Sequence, residues 1–234
     1  MIFLIDNGHG GIVDGKPVTP GKRSPFDHMG QLIEGESVRK IARLVHKMGT
    51  FIGHKVVMLV PEDDDISLDE RIKRIEQYAG REAVMISIHH DAFTNDKANG
   101  VSAWTTKSDN DSDKLAEMFY QEFEKMMIPE GLAIRTDRGD GDSDFEAGFK
   151  IIKGAENANI PAVLLELGFM THEKNYEYIQ SNRGKEMFTK LILNVMQRVA
   201  DGKLSTTEPR KGLPMFSGEY KTKPKSNGKS KSKK

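Results

Sequence analysis

The chain of 234 residues contains no cysteine. That excludes disulfides and thiolate metal ligands, so any bound metal must be held by histidine and carboxylate, a combination that Zn²⁺ accepts. It assigns no compartment, because a reduced cytosol and an exported disulfide-free enzyme are equally compatible with it. No apolar stretch approaches the length of a membrane span. No secretory leader is expected either, since Met1 runs at once into an apolar segment, without a basic stretch or a cleavage site. Synthesis in the cytoplasm without a signal peptide is therefore expected. Net charge is zero, yet unevenly placed, since residues 211–234 carry eight lysines against one glutamate. This segment is +7 and the remaining body −7.

What the chain does have is three apolar runs that end in polar residues. Ile2-Phe3-Leu4-Ile5 runs into Asp6-Asn7-Gly8-His9-Gly10-Gly11, and Ala83-Val84-Met85-Ile86-Ser87-Ile88 into His89-His90-Asp91. Ile160-Pro161-Ala162-Val163-Leu164-Leu165 runs into Glu166-Leu167-Gly168-Phe169. Short apolar runs bounded by turn signals read as buried strands of an α/β sheet. Ligands of such sheets gather at the carboxyl ends of the strands. A histidine after a strand is often only a loop residue. Glu166 is harder to dismiss, because a carboxylate among Val163, Leu164, Leu165, Leu167 and Phe169 loses solvation. It needs a partner, a metal or a raised pKa.

Strand, loop and helix alternate along the chain, and the length suits one domain. A Gly/Pro-rich loop spans residues 7–31, either a functional rim or a plain surface loop. Residues 34–48 show helical spacing, with Val38, Ile41, Ala42, Val45 and Met48 on one face. Val56–Val60 reads as a strand, and Ser67-Leu68-Asp69-Glu70 as a capping box opening a helix to about Tyr78. Gly100–Trp104 reads as a further strand, and Leu115, Met118, Phe119, Phe123 and Met126 as the core stripe of a helix. Phe149-Lys150-Ile151-Ile152 is expected to be a short strand. A last helix buries Phe188, Leu191, Ile192, Val195 and Val199 and stops near Gly202. The expected organisation is a folded domain over 1–203 and a disordered Lys/Ser/Pro-rich tail over 204–234.

Zinc hydrolases commonly use three protein ligands and leave the fourth position to water. His9 and His89 supply two, and the helix after the long loop offers Glu34 and Glu36. Glu34 shares a face with Val38, Ile41 and Val45 and so points toward the sheet, whereas Glu36 sits about 200° around the helix. Either would also be at home as a charge in a first helical turn.

With these motifs in order, the sequence resembles the zinc-dependent N-acetylmuramoyl-L-alanine amidases, amidase type 3, over residues 1 to about 200. The motifs are Ile5 to Gly11, Glu34 opening a helix, Ser67 to Arg71, Ser87 to Ala92, Arg138-Gly139, and Pro161 to Phe169. The resemblance implies an α/β domain with a twisted, mostly parallel sheet flanked by helices. It implies one Zn²⁺ held by His9, Glu34 and His89, with Glu166 as the catalytic carboxylate that takes and returns a proton. The substrate implied is peptidoglycan, cut between N-acetylmuramic acid and L-alanine. This sequence departs from the family pattern in three places. Asn7 stands where proline is usual, Val60 to Asp65 lacks an arginine, and His90-Asp91 replaces a small residue and asparagine. Strand alternation turns His90 to the face opposite His89. His28, His46, His54 and His172 match no ligand position.

The lysines from Lys221 to Lys234 make either a solubilising tail or a contact to an anionic wall or membrane surface. Specific nucleic-acid binding is not expected, because interleaved aromatics and a recognition motif are missing. An unexported wall hydrolase with such a tail fits a phage lysin, released through a permeabilised membrane. Two rival functions remain: a zinc peptidase or deacetylase using the same site, and an inert wall-binding domain. Nothing in the sequence indicates an oligomeric state.

Overall fold

The computed structural model describes residues 1–137 and 142–208. The chain runs β1 (Ile2–Asn7), β2 (Ile12–Val13), β3 (Lys16–Pro17), α1 (Glu34–Phe51), β4 (Lys55–Met58), α2 (Leu68–Glu76) and β5 (Ala83–Asp91). It continues through β6 (Val101–Thr105), α3 (Asp111–Met126), β7 (Phe145–Glu146), α4 (Lys150–Asn157), β8 (Ala162–Phe169), α5 (Glu173–Gln180) and α6 (Asn182–Ala200).

Six strands form one sheet in the order β4-β1-β5-β8-β6-β7. All neighbours are parallel except β6 and β8, which run antiparallel. The sheet is thus mostly parallel, as expected. From β1 the chain leaves through α1 to β4 on one side, then crosses back through α2 to β5 on the other. The crevice between the carboxyl ends of β1 and β5 is therefore the switch point where open α/β sheets bind ligands.

Alternation divides each strand between two cores. Phe3, Ile5, Ile86, Val163 and Leu165 pack with Val38, Ile41 and Val45 of α1 and with residues of α3 and α6. Leu4, Met85 and Leu164 pack on the opposite face with Ile75 of α2 and Ile151 and Ile152 of α4. Ile5 and Leu165 are fully buried. Truncating either to alanine would cost about 2–5 kcal/mol through lost transfer energy and an unfilled cavity.

Two local expectations are corrected, and two elements are added to what the sequence showed. Phe149 to Ile152 is not a strand but the start of α4, where Ile151, Ile152 and Ala155 recur at helical spacing and are buried together. The long loop carries the β2–β3 hairpin, turned by Asp14 and Gly15 in left-handed conformations. α5, which no apolar stripe announced, links β8 to α6. Residues 203–206 are a 3-10 turn, and Leu204 joins the core of α3 and α6, so the packed domain extends beyond 203. The tail lysines and Arg138-Gly139 lie outside the described residues. Among the described residues no helix is long and apolar enough to cross a membrane.

Candidate metal centre

β1 ends at Asn7 and the chain turns so that His9 takes a left-handed conformation, φ 62°. A non-glycine residue in that region is uncommon, and such strain persists where surrounding structure enforces it. Two close approaches do the enforcing. A Cβ on Gly8 would lie 2.1 Å from Cε1 of His89, and one on Gly35 would lie 1.8 Å from the Gly10 carbonyl oxygen. The first turn of α1 therefore sits directly on the His9–Gly10 backbone. Thr19 fastens the loop from the other side, accepting the Gly10 N–H at 2.8 Å and donating to Asp65 at 2.6 Å.

This packing brings His9, Glu34 and His89 together, with one ligand atom from each within 4.8 Å of the others. Glu34 Oε1 lies 3.3 Å from His9 Nε2 and 3.2 Å from His89 Nδ1, and it accepts the His90 N–H at 3.2 Å. Glu34 is buried, and its Oε2 has no hydrogen-bond partner. Burial opposes ionisation of Glu34, but hydrogen bonds and charge from His89 and His9 outweigh it and hold the carboxyl well below the usual range. Glu36 points elsewhere and pairs with Lys40 at 3.2 Å. The helix-face argument therefore picked the carboxylate that joins the two histidines.

Glu166 stands beside His89 in the paired register of β5 and β8. From His89 to Asp91 is two steps on β5, while the partners Glu166 to Phe169 take three on β8. The extra residue is a bulge that Gly168, at φ 95°, absorbs. Glu166 Oε2 is buried without a partner. Burial, reinforced by Asp91 and Glu34, pushes its carboxyl well above the usual range.

Buried groups behind the site hold this arrangement. Asp6 accepts from Arg71 Nη1 at 2.8 Å and from Ser87 Oγ at 2.6 Å, and the same Nη1 donates to the Asn7 carbonyl at 2.7 Å. Arg39, fully buried, donates to the carbonyls of Gly35 and Glu62, both at 2.9 Å. Arg71 thus ties α2 to the end of β1, and Arg39 ties the first turn of α1 to the segment after β4. The acidic segment after β4 meets a matching set of arginines: Glu62 pairs with Arg74, and Asp63 with Arg39 and Arg43.

His90 faces away from the cluster, as alternation predicts. Its Nδ1 lies 3.0 Å from the Leu167 carbonyl and must donate to it, so Nε2 accepts from Ser37 Oγ at 3.0 Å. Burial lowers its pKa to about 4 and keeps it neutral. Asp91 pairs with Arg135 at 3.0 Å. Of the remaining histidines, His172 caps α5, and His28 lies 3.3 Å from Glu177.

The family model described as N-acetylmuramoyl-L-alanine amidase matches residues 3–198. The chain belongs to that family. Members are generally zinc-dependent, and the His9, Glu34 and His89 group is one that could hold a metal. Among curated relatives, a probable cell wall amidase, LytH, of Staphylococcus epidermidis is 25% identical over 196 residues, 84% of this chain and 57% of its own. The amidase AmiC of Neisseria meningitidis is 32% identical over 120 residues, 51% of this chain and 26% of its own. The chain thus spans a little over half the length of the first of these relatives. Among solved structures, an N-acetylmuramoyl-L-alanine amidase of Clostridium difficile matches with TM-score 0.68 at 21% identity, covering 86% of this chain and 98% of that one. The catalytic domain of CwlV from Paenibacillus polymyxa matches with TM-score 0.66 at 22% identity, covering 86% and 99%. At these identities the structural likeness speaks for the amidase-family fold.

Sequence reasoning missed the support around the site. Arg39 sits in an amphipathic helix, where a charge is expected outside, and only its place beside Val38 and Ala42 hinted otherwise. Arg71 belongs to the Ser67 to Arg71 motif, but its partner Asp6 is 65 positions away.

Proposed function

We propose that this amidase-family domain hydrolyses the amide between the lactyl group of N-acetylmuramic acid and L-alanine in peptidoglycan. In this reading His9, Glu34 and His89 hold one Zn²⁺ and Glu166 carries the proton. The observation that carries it is the convergence of two imidazoles and a carboxylate beside a carboxyl on the adjacent strand whose Oε2 is buried without a partner. Two histidines and a glutamate match the ligand sets of catalytic zinc hydrolases. The orphaned Glu34 Oε2 also fits, since a buried carboxylate oxygen is costly without a cation or donor.

A Zn²⁺ ion bound there would polarise the scissile carbonyl, lower the pKa of water to about 7 and, through its charge, counter the burial and the neighbouring carboxylates that raise the Glu166 carboxyl. Glu166 takes the proton of the attacking water on its carboxylate oxygen and returns it to the departing alanine nitrogen. The apolar strand around it raises its affinity for that proton. The backbone N–H of His90 and both imidazoles keep Glu34 ionised and oriented.

A zinc peptidase or deacetylase would use the same groups on another amide, and an inert wall-binding domain would not need Glu166. Mass spectrometry of products from purified peptidoglycan separates these readings. The expected products are stem peptides with free L-alanine amino termini and intact glycan strands. Cleavage inside the stem, loss of acetyl groups, or no product would reject the proposal. The lysine-rich tail is proposed to hold the enzyme near anionic wall or membrane surfaces.

A further inference from the structure

A cleft of about 420 Å³ opens beside His9 and His89. It descends along the sheet face between the first turns of α2 and α4. Gly8 and Leu164 form its floor, Ile66, Ser67 and Leu68 one rim, and Phe149 and Ile151 the other. The volume lies in the range of small-molecule sites, about 300–1,000 Å³. Its walls are largely apolar. A salt bridge of 2.5 Å between Lys150 and Asp69 joins the two rims.

Phe149 is the unexpected residue of this cleft. It occupies the N-cap of α4 without a capping hydrogen bond, where serine, threonine, aspartate or asparagine is strongly preferred. Phe149 is 39% exposed, although Ile151, two residues further on, is buried. It is nonetheless held, edge-on to Trp104 at 5.5 Å, and Trp104 is stacked on Phe145 at 4.6 Å. An exposed aromatic at a helix start, fixed by two others, costs local stability and presents a ring to the cleft. Leu68, 44% exposed, lies on the opposite rim. Sequences break local rules in this way where function requires it.

We infer that this cleft binds the N-acetylmuramoyl side of the substrate, with Phe149 stacking on the apolar face of the sugar. The inference rests on the amidase reading above. The departing nitrogen must lie near Glu166 to receive its proton, and Glu166 is not among the residues lining the cleft. Glu166 follows Leu164 on the same face of β8, so this inference places the peptide stem beyond Glu166 and the acyl half the other way, past His9 and His89 into the cleft. That half carries the lactyl methyl, the N-acetyl methyl and the C–H face of a pyranose. Ile66, Ile151, Leu164 and Phe149 are suited to such surfaces. Phe149 would then be a specificity-determining residue that takes no part in the proton transfer.

The test compares two substrates that share the scissile amide and the stem: a muramoyl peptide, and the same peptide bearing only its D-lactoyl group. Phe149→Ser removes the ring and supplies a good N-cap, so thermal unfolding should occur at the same or a higher temperature. The ratio of kcat/KM for the sugar-bearing substrate over the sugar-free one should fall about tenfold, mainly through KM, as expected for losing one partly buried ring. Leu68→Ala should lower the same ratio by less. An unchanged ratio in a folded Phe149→Ser protein overturns the inference, because a cleft holding the stem would affect both substrates alike. A wild-type chain that hydrolyses neither substrate rejects the amidase reading itself, and the inference with it.

Discussion

Gly8 lies under the imidazole of His89, so close that a methyl group on it would overlap Cε1 at 2.1 Å and Nδ1 at 2.4 Å. The contact makes the conformation of β1's end and the position of a proposed ligand a single structural fact. Gly8→Ala should push His89 off Glu34 while leaving the two cores untouched. Zinc affinity should fall about 10–100-fold, the effect of disturbing the groups that orient a metal ligand. Equilibrium metal titration with circular dichroism as a folding control measures this, and unchanged affinity would show that the loop relaxes at little cost.

Metal content separates the two acidic residues of the first turn of α1. Glu34→Ala, His9→Ala and His89→Ala should each abolish stoichiometric zinc and turnover, because two remaining ligands make a weak site. Glu36→Ala should keep zinc, since that side chain pairs with Lys40. Zinc loss in Glu36→Ala with retention in Glu34→Ala would invert the assignment.

Glu166→Gln keeps the shape of the side chain and removes its proton exchange. Zinc should remain, and kcat should fall about 10²–10⁴-fold, the usual worth of general acid–base catalysis. The metal-free variant should be as stable as wild type or more so at neutral pH, because folding raises the Glu166 carboxyl at a cost that a neutral amide does not carry. Near-normal turnover with zinc retained would send the search for the proton carrier to Asp91.

Burial pushes the Asp144 carboxyl up from its ordinary 3.8 to about 8, helped by Asp142 and Asp113 and only partly offset by the hydroxyl of Thr105. Between those two values the folded chain keeps a proton that the unfolded chain releases. Stability from this group must therefore fall as pH rises across that window. Chemical denaturation in chelating buffer from pH 4 to 9 should show the decline, and Asp144→Asn should flatten it. A wild-type and variant pair with parallel profiles would mean that Asp144 is charged in the fold.

Leu204 is buried in the core of α3 and α6, and Thr207 closes the turn by donating to the Lys203 carbonyl at 2.8 Å. A chain ending at 208 should melt like the full chain and lose only salt-dependent adsorption to anionic walls or vesicles. One ending at 203 should lose about 1.5–3 kcal/mol for the missing leucine. Equal adsorption of full and 208-residue chains at low salt would reduce the tail to a solubilising segment.

Whatever depends on neighbours a few residues away is legible in the chain. The apolar runs of β1, β5 and β8 are long enough to be strands under any packing. The stripe from Val38 to Val45 sets the inward face of α1, and with it the difference between Glu34 and Glu36. The four residues from Phe149 to Ile152 were too few to distinguish periods of two and 3.6, and α4 became visible only with Ala155 against the sheet. Tertiary structure alone decided that β6 runs against β8, that Arg71 reaches Asp6, and that His9 is held at positive φ. Each of these depends on a partner tens of residues distant, and a local pattern carries no information about a partner it does not contain. Both halves meet in the site: its residue types are legible in the chain, and their convergence is set by the crossover that places β1 beside β5.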